Sequence, residues 1–491
     1  MRRFKNIGMY FLATGAMAIS GLFSVPLLVR LLSLDEFGRW TLVEPVLAVA
    51  APLSLLGASW GVFKQVSHDG IAPGLICRQL LPVAQPVMIA VAALSAIVLV
   101  RLGFSITTAT YMAVTVWIEG VLILEIAALR AANMAFSFMI AQIIRAGALV
   151  GLLGAAIYSW IVVVKVEDAI QVRLSVAVLV AVVAAVCLLI RVGAGSADGG
   201  SSQDSPRHDM KRSLSLYRDA IRYGAPLLVV SLLTMVLQFS DRFIINAYLD
   251  YRSLAQYFVY VKITSMITLV VVTPFALWWP SERFRQRKKA DGGRKFFPRI
   301  AMNFLVVLLA SSGSLWLITG WLLPFFAPGI AFNSTVILLL LFGGILAAMA
   351  YPLNVGLLDE GQTHKNIYAV LLAAIINIIL ALILIPKFHL IGAAWANLLG
   401  YGVYMIAFSQ FSQRVFPVAF AYGRMFALTG LALMFLWGVS TLIPGNSAVI
   451  SVVRMAAYLC ALSIASWFLI AHFNKSYDPL TCTIERRTMP P

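Results

Sequence analysis

Charged side chains embedded in long apolar runs are the residues of this sequence whose types and spacing could do chemistry. Arg30, Arg145, Arg242 and Lys262 are cations, and Glu44, Glu119 and Asp241 are carboxylates, each within or at the rim of such a run. A charge at the bilayer centre costs about 2.5–3.5 kcal/mol on insertion scales, so such residues face water, a partner or a transported ion. The chemistry that fits is electrostatic. The cations could hold an anionic phosphate, and the carboxylates could pair with them, gate access to them or exchange a coupling proton.

Groupings suited to covalent chemistry are missing from the sequence. The 5 histidines, His68, His208, His364, His389 and His472, fall in separate loops or helix ends, and the 4 cysteines, Cys77, Cys187, Cys460 and Cys482, lie far apart. Neither set has metal-ligand or disulfide-framework spacing. No P-loop lysine motif is present for ATP hydrolysis. The expectation is a protein with no cofactor, no metal and no enzymatic step, whose energy comes from an ion gradient, the membrane potential or removal of product.

Helices in lipid must position these charges. The chain is 61% hydrophobic and 12% charged, with a mean hydropathy of +0.92, a composition that needs lipid as solvent. Runs of about twenty apolar residues require an internally satisfied backbone, and the ten-residue alternation of barrel strands is absent, so an all-α polytopic membrane protein is expected. The runs fall near 8–30, 40–62, 79–100, 107–129, 136–159, 171–190, 222–247, 254–279, 300–323, 334–357, 367–386, 390–410, 425–443 and 449–472, about fourteen spans. The first follows Arg2, Arg3 and Lys5 like a signal sequence, but its length marks a retained helix.

Lys and Arg concentrate in every second gap, the positive-inside pattern, which places both termini in the cytoplasm of a multi-pass membrane protein. The net charge of +17 therefore has anionic headgroups as its partner and not nucleic acid. The basic stretch from Glu282 to Arg299, edged by Trp278, Trp279, Phe296 and Phe297, is the densest case.

The longest gap contains Gly195-Ser196-Ala197-Asp198-Gly199-Gly200-Ser201-Ser202 and reads as a flexible cytoplasmic linker over 195–215. It separates an N-terminal six-helix lobe, 1–194, from a second, 216–412; two extra helices, 413–475, and a cytoplasmic tail, 476–491, follow. Tyr223-Gly224 and Ala255-Gln256-Tyr257 repeat the layout of Ile7-Gly8 and Gly38-Arg39-Trp40 at an offset of about 216 residues. An even span count per copy makes the repeat parallel and the lobes pseudo-symmetric.

Spacing then suggests pairs. Glu119 and Arg145 each lie about thirteen residues from a turn near Ala132, which gives them similar depths. The pair is either an anion-binding and proton-coupling device or a structural ion pair. Glu125, about 240° around the helix from Glu119, is expected to be solvated. Asp241 could pair locally with Lys262, while Arg242 either lines a cationic wall or snorkels to the interface. Glu44 falls near the position equivalent to Lys262, so the two could meet as an outer gate or be satisfied separately. Arg30 is either an interfacial anchor or part of the cavity mouth. Pro45 and Pro52 in the second span, with Pro274 and Pro280 in the eighth, mark hinges or static kinks.

Three stretches carry a family resemblance. They are Pro26-Leu27-Leu28-Val29-Arg30-Leu31-Leu32 with Glu36-Phe37-Gly38-Arg39-Trp40; Tyr223-Gly224-Ala225-Pro226-Leu227 with Ser240-Asp241-Arg242-Phe243-Ile244-Ile245; and Ile385-Pro386 with Gly392-Ala393-Ala394-Trp395-Ala396. In order, spacing and twelve-plus-two layout the chain resembles the Wzx-type O-antigen and polysaccharide flippases of the multidrug/oligosaccharidyl-lipid/polysaccharide exporter superfamily. It departs from them at His389, where they often carry glycine.

The resemblance implies alternating access between two lobes, with an undecaprenyl-diphosphate-linked oligosaccharide moved from the cytoplasmic to the periplasmic leaflet for exopolysaccharide, capsule or O-antigen synthesis. It also implies partners in a polysaccharide polymerase and chain-length machinery. Arg145, Lys262, Arg242 and Arg30 become candidates for the diphosphate, and Glu119, Asp241 and Glu44 for coupling or gating. Two other readings stay open: an ion-coupled multidrug exporter of the same superfamily, and a membrane-bound glycan polymerase or ligase. The exporter would favour an acidic cavity, and the enzyme would need a sizeable outer loop that the spacing does not provide.

Overall fold

A computed structural model describes residues 2–158, 165–195, 210–289, 292–356, 363–443, 445 and 447–476. Of the linker expected at 195–215, residues 196–209 lie outside the described residues and 210–215 are already helical; of the tail at 476–491 only Ser476 is described. Among those described, the chain is helical and contains no strand: α1 (Arg2–Leu31), α2 (Leu34–Leu53), α3 (Ala58–Ser67), α4 (Pro73–Arg101), α5 (Ile106–Ala131), α6 (Ala135–Tyr158), α7 (Val166–Gly195), α8 (Met210–Tyr248), α9 (Tyr251–Ile267), α10 (Thr273–Arg287), α11 (Phe296–Phe326), α12 (Ser334–Leu353), α13 (Thr363–Val415), α14 (Tyr422–Leu442) and α15 (Ala448–Ser476). Large apolar side chains face outward along them, among them Leu442, Val449, Phe426 and Trp437, each at least 70% exposed. Such a surface is stable only against lipid.

The expected spans are present, with two departures. Twelve helices are long and apolar enough to cross a membrane, and α2 with α3 forms a further, broken span bent by 48°. Pro52 withholds a backbone donor near the end of α2. The chain turns through Leu56 and Gly57, whose φ angles are 49° and 83°, and a glycine is what that left-handed region favours. The second departure is α13. A straight helix of the 50 residues Asn366–Val415 would run about 75 Å, far beyond a hydrocarbon core of about 30 Å.

The α13 chain reverses at His389, where φ is 51° and ψ is −130°. Asn377 Nδ2 donates to the Ala396 carbonyl at 3.0 Å, a contact that an unbroken helix forbids at 19 residues' separation. The eleventh and twelfth spans are thus a hairpin broken at one residue, and the total is fourteen. A third irregularity sits in the eighth span. A π-helical turn, Thr268–Val272, joins α9 to α10 just before Pro274, whose ring cannot continue the α-helical hydrogen-bond ladder.

Two compact units emerge from the packing: Met1–Lys262 with Phe326–Pro328 and Ile378–Ala393, and Ile263–Phe325 with Gly329–Asn377 and Ala394–Pro491. The first has a core contributed mainly by α3 to α8, centred on Leu55, Val62, Leu80, Met88, Leu122 and Val180. The second is built around Trp279, Phe297, Leu308, Met349, Leu428 and Tyr458. Within the first unit, α3 lies so close to α8 that a Cβ on Gly224 would strike the Gly57 carbonyl, and one on Gly61 would strike Ala220 backbone.

Candidate functional site

The charges singled out in the sequence converge in the first unit. A cavity of about 170 Å³ is lined by Ser20, Gly21 and Ser24 of α1, Trp40 and Glu44 of α2, Glu119 of α5, Arg145 of α6, Arg173 of α7, and Phe258 and Lys262 of α9. The Ser20 hydroxyl donates to the Ala146 carbonyl at 2.9 Å, which ties α1 to α6 along this wall. Each lining charge stands more than one turn inside its helix and has an oppositely charged side chain within 4.0 Å.

Two ionic clusters face the cavity. In one, Arg145 Nη2 donates to both carboxylate oxygens of Glu119, at 2.5 and 2.6 Å, and Arg173 Nε stands 4.0 Å from the same group. In the other, Glu44 accepts from Lys262 Nζ at 2.8 Å and from Arg242 Nη1 at 3.0 Å. Aromatic faces brace the second cluster: the Arg242 guanidinium lies 4.7 Å from the Phe258 centroid and 4.8 Å from that of Phe239, and Lys262 Nζ lies 5.0 Å from Phe258. Cation–π contacts of this kind strengthen as water is excluded. Four cations thus meet two carboxylates, so positive charge is in excess; Arg145, Arg173 and Lys262 line the cavity, while Arg242 is buried behind Glu44 and is not among the lining residues. An excess of that sign inside a span is costly without an anion, so the arrangement is suited to receive one.

Arg173 is the cavity-lining cation that the sequence reading missed. Hydropathy begins the sixth span at residue 171, so Arg173 looks like a flanking cation. The helix actually begins at Val166, held there because Glu167 accepts hydrogen bonds from the Ser105 and Thr108 hydroxyls and Val166 N–H donates to Glu36. That brings Arg173 two turns inside α7, opposite Glu119. The detectable signal was Glu167-Asp168 ahead of the apolar run, acidic residues that favour a helix N-terminus.

The other candidates fall differently. Asp241 is buried and accepts from the Tyr257 hydroxyl at 2.5 Å, while Lys262, its possible partner, donates to Glu44 at 2.8 Å. Adjacent residues point about 100° apart on a helix, so Asp241 turns from the cavity while Arg242 turns toward Glu44. Arg242 is only 2% exposed and does not snorkel. Arg30 sits exposed at the end of α1, where it donates to the Pro26 carbonyl, and it is not among the lining residues. Glu125, expected to be solvated, is buried at 5% exposure, and its Oε2 has no hydrogen-bond partner among the described residues. The core between α3, α4 and α5 closes over it.

Behind α2 lies a second hollow of different character, a groove of about 450 Å³. It is lined by Pro45, Val46 and Val49 of α2, Val91, Leu94 and Val98 of α4, and Phe239 and Phe243 of α8. Glu44 and Pro45 are consecutive, so one helix separates the ionic cavity from the apolar groove.

The sequence model for polysaccharide biosynthesis proteins matches residues 4–281, more than half of the chain and all of the ionic site. The chain belongs to that family. The fold of this polysaccharide biosynthesis protein is shared with the lipid II flippase MurJ in an inward closed conformation, at TM-score 0.69 and 14% identity, covering 94% of this chain and 98% of that one. It is also shared with an inward-facing multidrug resistance MATE transporter of the MOP superfamily, at TM-score 0.55, 15% identity and coverages of 86% and 95%. The eukaryotic MATE transporter AtDTX14 aligns at TM-score 0.50, 12% identity and coverages of 84% and 95%. No curated protein sequence matches. The exporter-superfamily resemblance read from the motifs is met by the family match and the fold.

Proposed function

We propose that this protein flips an undecaprenyl-diphosphate-linked oligosaccharide from the cytoplasmic to the periplasmic leaflet of the bacterial inner membrane, with both termini cytoplasmic. The carrying observation is an intramembrane cavity lined by three cations, Arg145, Arg173 and Lys262, against two carboxylates, with a fourth cation, the buried Arg242, bonded to Glu44 behind the wall. A diphosphate diester carries two negative charges and complements that excess of cations. The alternative export of cationic drugs shares the fold, but those substrates would meet charge of the wrong sign.

Geometry supports a mechanism without covalent chemistry. At about 170 Å³ the cavity is smaller than the roughly 300–1,000 Å³ of pockets that enclose drug-sized ligands, so it admits a diphosphate and not the oligosaccharide with it. The saccharide requires an opened state. An arriving diphosphate competes with Glu119 for Arg145 and Arg173, and with Glu44 for Lys262 and Arg242. Loss of the Glu44 bonds frees α2 from α8 and α9 and unlocks that end of the cavity. The substrate thereby supplies the differential interaction that any ligand-driven switch requires. The prenyl chain lies in the neighbouring apolar groove behind α2, and the proline-broken spans absorb the bending as two lobes, 1–194 and 216–412, rock.

The test is complementation of a deletion strain together with flipping of a labelled lipid-linked repeat unit in proteoliposomes. Wild type is expected to restore surface polysaccharide and flipping. Arg145→Ala and Lys262→Ala, inserted at wild-type levels, are expected to leave repeat units on the cytoplasmic leaflet. Intact glycan export in the deletion strain would overturn the function. Full rescue by both variants would overturn the ionic site.

A further inference from the structure

We propose that the ends of α11, α12, α14 and α15 form a binding site for the phosphate of an anionic membrane phospholipid, centred on Arg454. The pocket encloses about 240 Å³ and includes Trp316, Trp321, Ser440, Ser451 and Arg454. None of the charges of the ionic cavity lies on these helices. The site stands on its own residues, whatever the protein transports.

Arg454 lies six residues into α15, about 9 Å along its axis. Its Nε donates at 2.6 Å to the carbonyl of Ile443, the residue that caps the C-terminus of α14. That bond satisfies one open helix carbonyl and fixes the guanidinium plane. The two terminal amino groups have no partner among the described residues, and no carboxylate there neutralises the charge. Ser451 is 4% exposed and its hydroxyl, also without a partner among the described residues, lines the same pocket. Trp316 Nε1 donates to the Ser334 carbonyl at 3.0 Å, which holds the indole as a wall.

A planar pair of N–H donors with hydroxyls beside it is the donor set for a tetrahedral oxyanion. Indole rings at the ends of spans mark the headgroup level, the depth at which lipid phosphates lie. Acyl chains have a surface to follow: Leu442 at the end of α14 and Val449, Val452 and Val453 on α15 are all exposed apolar residues next to the pocket. Free phosphate would use the donors and leave that surface unused.

Native mass spectrometry of the full-length protein with phosphatidylglycerol, phosphatidylcholine or inorganic phosphate tests the site. Wild type is expected to retain phosphatidylglycerol in preference to phosphatidylcholine. Arg454→Gln is expected to lower retention about tenfold, the loss of one charge-assisted pair, and Ser440→Phe, which fills the pocket and spares the arginine, to do the same. Arg145→Ala is expected to retain the lipid as wild type does. Equal retention by wild type and both pocket variants overturns the proposal. Displacement of the lipid by millimolar inorganic phosphate overturns the lipid as the source of the anion.

Discussion

α8 is gripped at two places by opposite physical means. Fourteen residues into the helix, its Gly224 meets Gly57 backbone to backbone, with Gly61 on Ala220 a turn away. Eighteen residues further on, about 27 Å along the axis, Arg242 is held by Glu44. The separation is close to the thickness of a hydrocarbon core, so the contacts close opposite ends of one span. The glycine contact is short-ranged and dry and offers nothing to a charged ligand. At the ionic contact, Glu44 can be displaced by any anion that binds Lys262 and Arg242 better. A switch driven by an anionic substrate therefore has to act at the Glu44 end, while the glycine end responds only to the resulting movement of the helix.

Removing the ionic contact has the largest expected effect. Glu44→Ala leaves the buried Arg242 guanidinium without its carboxylate, a change that costs about 3–5 kcal/mol when one partner of a buried pair is deleted. The expected result is a lower apparent melting temperature in detergent. A cysteine placed at Thr41 should gain reactivity toward a membrane-impermeant thiol reagent. Unchanged reactivity would mean that the Glu44 contact does not close that end.

At the glycine contact the corresponding change is Gly224→Val, whose Cβ collides with the Gly57 carbonyl and pushes α3 from α8. Overpacking of this kind costs about 1–3 kcal/mol. The contrast is one of place: reactivity is expected to rise for a cysteine near Gly61 and to stay at wild-type level near Thr41. If both variants expose both ends alike, the two contacts act as one and the comparison fails.

Much of this was legible in the sequence. Hydropathy gave the helices, and equal distances from a turn gave Glu119–Arg145 as a pair. The repeat offset put Glu44 near the position equivalent to Lys262 and left open whether the two meet. What stayed hidden followed from terms a hydropathy window averages away. The extra turns of α7 that carry Arg173 inward depend on hydrogen bonds to Glu167 and Glu36 from elsewhere in the chain. The burial of Glu125 depends on three helices packing over it, and the orientation of Asp241 away from Lys262 depends on helix rotation. The bend between α2 and α3 was signalled by Pro52, but the left-handed turn through Leu56 and Gly57 was not.

His389 supplies a control outside both contacts. Its φ of 51° is the left-handed region, which costs a side-chain-bearing residue about 1–2 kcal/mol. Part of that gain is lost to the greater freedom of glycine in the unfolded chain, so His389→Gly is expected to stabilise by up to about 1 kcal/mol. The melting temperature should rise with thiol reactivity unchanged at Thr41 and Gly61. A shift in either reactivity would tie the hairpin turn to the closures.

The smallest effect is expected where α9 begins, about two turns before Phe258, which braces Arg242. Asp250 Oδ1 accepts from Ser253 N–H at 2.8 Å and caps the helix. Hydrogen bonds from the Ser253 side chain and backbone hold its carboxyl below the ordinary aspartate value. Asp250→Ala should cost about 0.5–1 kcal/mol, the lower part of the range for lost caps, since the site is solvent-accessible. A carboxyl with a lowered value contributes fully above the ordinary aspartate pKa of about 3.9 and loses that contribution as pH falls through the lowered one. The gap in melting temperature between wild type and variant should therefore be full at pH 7 and narrow toward pH 3. Comparing the two proteins at each pH removes the acid sensitivity of every other carboxylate. A gap that stays constant to pH 3 would show that the cap works through geometry alone, with no charge at that end beyond Glu44 and its cations contributing to closure.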